Sequence, residues 1–148
     1  MRNLLLFLHV AGAIFWMGGM AFTVIALRPA LHAQVQPPVR LPLVVLVLRR
    51  FFVVVIASIA LLLATGVPLL LQVPGAMAPR GWHAMAGLGV LMMLIFGHLF
   101  FSPWRKLQRA VEVGDWPEGG RRMQLITLLV KINLGLGWVA IAAVLLWH

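Results

Sequence analysis

The stretch LLLFLHVAGAIFWMGGMAFTVIAL, residues 4–27, contains one ionisable side chain, His9. As a helix rising ~1.5 Å per residue it reaches roughly 36 Å, enough to cross the ~30 Å hydrocarbon core of a bilayer. It reads as a first membrane span and not as a secretory leader. Its apolar run is too long for a leader, and no small-residue cleavage site follows it.

Three further runs share the pattern, at residues 51–71, 82–101 and 125–147. The expected fold class is therefore all-α, an integral membrane four-helix bundle forming a single transmembrane domain over residues 1–148. Composition agrees, with 63% hydrophobic and 10% charged residues, where a soluble domain carries about a quarter charged. Lipid is the expected solvent for most of this surface.

The formal charge of +9 would suggest nucleic acid in a soluble protein, but its placement excludes that partner. Arg28, Arg40, Arg49, Arg50, Arg105, Lys106, Arg109, Arg121 and Arg122 flank the apolar runs. Under the positive-inside rule the 28–40 and 104–122 connections are then cytoplasmic and both termini are periplasmic, in a bacterial inner membrane. The opposite side carries only Arg2 and Arg80.

Punctuation between the runs is clear. Arg28-Pro29 predicts a helix stop, residues 41–48 an interfacial lead-in, Pro68 a kink, and residues 73–81 a loop. Trp104 suits the aromatic belt of the membrane interface. A turn is expected at Gly114-Asp115-Trp116-Pro117.

The sequence has no cysteine, which removes disulfides, thiolate metal sites and cysteine nucleophiles. Its three carboxylates, Glu112, Asp115 and Glu118, share one polar stretch, so no carboxylate pair is available inside the membrane. Ionisable residues within a span are site candidates by default, and here they are His9, His83, His98 and Lys131.

His9 and His83 fall at similar depth on the first and third spans. That is the arrangement a b-type haem needs for two axial imidazoles, with Gly12 and Gly87 one turn on making room for the ring. Close helix packing explains the same glycines equally well. Such a haem protein would exchange electrons with a quinone or another membrane redox partner at the outer face.

A copper-binding protein is the alternative, with Cu(I) held by His9, His83, Met85 and perhaps Met77 or His148, because thioethers and imidazoles suit that ion. Eight methionines are present, and packing is their usual role in apolar helices. His98 lies ~22 Å from His83 along the helix and would belong to a separate site. Lys131 is expected to snorkel toward the cytoplasmic interface. Arg49 and Arg50 suit a propionate or a lipid phosphate, or simple anchoring, and His32 is expected to be solvated. A third reading is a small accessory subunit, as a homo-oligomer or within a larger complex.

The run His9-Val10-Ala11-Gly12-Ala13-Ile14-Phe15-Trp16-Met17-Gly18-Gly19 resembles the first-helix signature of the copper-resistance D (CopD) membrane family and of the related HemJ-type protoporphyrinogen oxidases. The likeness extends through Arg50-Phe51, Thr65-Gly66 and Gly81-Trp82-His83. It implies His9, and less directly His83, as haem or metal residues. In the oxidases the third helix opens with His-x-Lys, whereas here it reads His83-Ala84-Met85, a departure that argues against that reaction. The copper-resistance likeness implies copper handling across the inner membrane.

Overall fold

The computed structural model describes residues 1–73 and 79–147 and is helical almost throughout. Helix α1 (Arg2–Phe22) passes through a π-helical turn (Thr23–Leu27) into α2 (Arg28–Gln34). Then come α3 (Pro37–Leu71), α4 (Arg80–Phe101), α5 (Pro103–Glu112) and α6 (Trp116–Leu146). Four of the resulting rods are long and apolar enough to cross a membrane. The protein is an all-α, multi-pass membrane bundle.

The rods exceed the expected spans, and the extra turns have physical causes. Pro29 does not stop the first rod. Proline lacks the N–H that an α-helix needs and crowds the carbonyl four residues back. The π turn takes up that mismatch, with Arg28 N–H reaching Thr23 O in the wider i to i−5 register. The Thr23 hydroxyl donates to Gly19 O at 2.8 Å.

Residues 41–48 are likewise the opening turns of one continuous helix. Leu41, Val44, Leu48, Phe52 and Val55 are all buried, a single stripe at helical spacing. Arg49 and Arg50 are exposed beside that stripe and leave it uninterrupted.

The polar stretch after residue 102 is helical too. Pro103, Trp104, Leu107 and Ala110 of α5 are buried, while Arg105, Lys106 and Arg109 face outward. Trp104 is therefore not an interface-belt residue. It is 4% exposed and meets the Phe52 ring edge-on at 4.9 Å. The turn before α6 falls where the sequence places it. Gly114 takes φ +71°, a left-handed conformation that glycine adopts without strain, and the Asp115 side chain accepts from Glu118 N–H at 3.0 Å as an N-cap. The expected loop at 73–81 falls largely on residues 74–78, outside the described residues.

The bundle is built from two helix pairs, α1 against α3 and α4 against α6, with α5 folded onto α6. One end carries both termini, and the other carries the α2–α3 and α5–α6 connections with most of the arginines. The two are called the terminal end and the basic end. Trp16, Phe52, Phe96 and Phe100 fill the interior toward the basic end, with Phe52–Phe96 centroids 5.5 Å apart. Deeper in the α4–α6 seam, Asn133 Nδ2 donates to Met92 O at 3.1 Å, while its Oδ1 is buried without a partner among the described residues.

Candidate metal site

Near the terminal end, His9 of α1 turns toward α3. Its Nδ1 lies 3.0 Å from Thr65 Oγ1, and that hydroxyl gives its own proton to Leu61 O at 2.6 Å. A hydroxyl has one proton to give and lone pairs to accept with. With that proton given to Leu61 O, the geometry favours Thr65 as the acceptor and a proton on His9 Nδ1. The remaining nitrogen, Nε2, keeps its lone pair. A histidine whose one nitrogen is anchored and whose other is unprotonated is the form that binds a metal ion.

The seat for the ring is Gly66. A Cβ there would stand 2.8 Å from His9 Cε1, so a larger residue would push the imidazole off Thr65. Thr65 is 3% exposed and completes the arrangement. Its role was not assigned from sequence, although a polar residue inside an apolar span is the signal that points to it.

His83 is an exposed residue of α4, which belongs to the opposite helix pair, and Met85 is half-buried two residues on. Gly12 is filled from α3, since a Cβ on it would lie 3.4 Å from Leu62 Cγ and from Ser58 O. Gly87 has nothing within 4 Å. The two glycines expected to cradle a haem therefore have different surroundings, Gly12 packed against α3 and Gly87 open. Gly87→Leu is accordingly expected to change stability by less than about 0.5 kcal/mol, read as an unaltered thermal midpoint in detergent.

His98 and Lys131 are exposed on α4 and α6, far from His9. Met77 and His148 lie outside the described residues. Among the described residues no cluster of three or more histidine or carboxylate side chains is placed to hold a metal ion. Soft donors are present in the interior instead. Met20, Met92 and Met123 are buried, and the Met17 sulfur and Met92 methyl both press on Gly137.

Four long apolar rods define a polytopic α-helical membrane protein, with one oriented imidazole inside it. Within that class, the chain belongs to the copper resistance D family: the family described as "Copper resistance protein D" matches residues 45–147. The match begins inside α3, so α1 and His9 lie outside it. A protein of Aquifex aeolicus (strain VF5), described as uncharacterized, is 30% identical over 138 residues, covering 91% of this chain and 93% of its own. No solved structure matches. The first of the two families that the α1 signature resembles is thereby established, and the likeness to the oxidases gains nothing.

Proposed function

We propose that the protein handles copper in a bacterial inner membrane, binding Cu(I) near the terminal end through His9 Nε2. The observation that carries this reading is the contact of His9 Nδ1 with Thr65 Oγ1 at 3.0 Å, in which the threonine's own proton goes to Leu61 O. Family membership supplies the metal class. The arginines of the basic end support a cytoplasmic location for it, with His9 toward the periplasmic side, and an alkaline phosphatase fused after Trp147 would then be active.

The test is Cu(I) binding by the purified full-length protein in detergent, measured by competition with a coloured chelator. Wild type is expected to take up copper stoichiometrically, and His9→Ala to lose measurable binding. Thr65→Val removes the acceptor that orients the ring and is expected to weaken binding about 10- to 100-fold, the usual cost of losing such a partner. Thr65→Ser should restore it. Equal affinity in wild type and His9→Ala would refute the assignment. A sharp reduced haem band that vanishes in His9→Ala would replace copper with haem at the same nitrogen.

A further inference from the structure

At the basic end, α2, the start of α3 and the start of α6 enclose a cavity of about 100 Å³. Leu31, Leu41, Val44 and Met123 form its apolar floor, and Arg28, His32, Arg40 and Gln124 its polar rim. This volume exceeds that of a single water site several-fold.

The charge within it is unbalanced. Arg28 donates to Thr127 Oγ1. Arg40 donates one Nη to His32 Nδ1 at 2.8 Å, and to His32 O and Val35 O at 3.3 Å each. Both guanidiniums have donors left over. No carboxylate lines the cavity, and the sequence contains only three. Glu118 is engaged by Arg121 and Arg122, Asp115 caps α6, and Glu112 is exposed at the end of α5. Two like charges thus face one pocket with no internal counter-ion.

Arg40 giving its proton to His32 Nδ1 also fixes that ring with its proton on Nε2, a further donor at the rim. A concave site with guanidinium forks and an imidazole N–H, at the level where the bundle meets the membrane surface, matches a phosphate group. Basic pockets between membrane helices on the cytoplasmic side hold lipid headgroups in this way.

The geometry points to a phosphate-binding pocket at the basic end, gripped by Arg28 and Arg40 and filled either by the headgroup of an anionic lipid or by free phosphate. It is separate from the His9 site and does not depend on copper. Gly120 provides a clean probe, because it lines the cavity and a Cβ on it would meet nothing within 4 Å. Gly120→Leu should plug the pocket without disturbing the helices.

The experiment follows the thermal midpoint of the full-length protein in neutral detergent at constant ionic strength. Short-chain phosphatidylglycerol, phosphatidylcholine, inorganic phosphate and chloride are added in turn. Wild type should be stabilised by phosphatidylglycerol or inorganic phosphate, and not by phosphatidylcholine or chloride. Stabilisation by the lipid alone identifies a headgroup site, and equal stabilisation by phosphate, with mutual competition, identifies a soluble ion. Gly120→Leu and Arg40→Gln should each weaken the response roughly tenfold or more, the weight of a charge-assisted hydrogen bond, while Arg105→Gln, outside the cavity, should respond as wild type. The proposal fails if neither phosphate source stabilises wild type beyond chloride, or if Gly120→Leu keeps an undiminished response from an unchanged basal midpoint.

Discussion

Gly81→Val is expected to cost more than about 4 kcal/mol, among the largest effects of a single substitution, and to lower the recovery of folded protein from the membrane. Gly81 N–H donates to Trp147 O at 3.0 Å, tying the start of α4 to the end of α6. A Cβ at position 81 would stand 2.7 Å from Trp147 O and 2.8 Å from Ala143 C, and closer still to Ala143 O. Those are backbone atoms, which no rotamer change can move aside. Relief requires α4 and α6 to separate, and a β-branched residue cannot turn away from the contact. Gly97→Ala is the matched control, because a Cβ there meets nothing within 4 Å. The check is resistance to denaturing detergent in the two variants. Equal resistance would mean that the α4–α6 seam does not depend on this approach.

Phe52→Ala is expected to cost about 3–4 kcal/mol, the range for emptying a packed phenylalanine site. Phe52 is 3% exposed and sits at the hub of an aromatic cluster, with Trp104 at 4.9 Å, Phe96 at 5.5 Å and Phe100 at 6.0 Å. All three meet it edge-to-face, the favoured arrangement for aromatic pairs. Between membrane helices the hydrophobic effect contributes little and contact packing carries association, so the cavity left behind is the main cost. Removing the ring frees Trp104 and with it the attachment of α5. Tryptophan fluorescence at rising denaturant concentration should show an earlier transition in Phe52→Ala than in wild type. Phe52→Leu should recover most of the difference.

The site was less legible than the fold. His9 stood out because an ionisable group in an apolar span demands an explanation, and the structure adds the partner that orients it. Thr65 is 56 residues from His9 in the chain, and only the pairing of α1 with α3 brings them together. His83 was drawn to His9 by matched depth along two helices. Depth says nothing about azimuth, and α4 turned out to pair with α6. Gly12 shows the same limit, since its missing side chain admits α3 and leaves no space for a cofactor.

Periodicity and charge placement alone determined that four apolar helices cross a membrane and that the arginines collect at one end. Both follow from the cost of leaving polar groups in hydrocarbon, which every residue of a span feels independently of its neighbours. The π turn that carries the first helix past Pro29, the burial of Trp104, the contact of His9 with Thr65 and the meeting of Arg28 with Arg40 were decided only by the tertiary structure. Each depends on which helix faces which, and in a bundle whose helices are apolar nearly all round that choice rests on side-chain shape and a few polar contacts between residues distant in sequence.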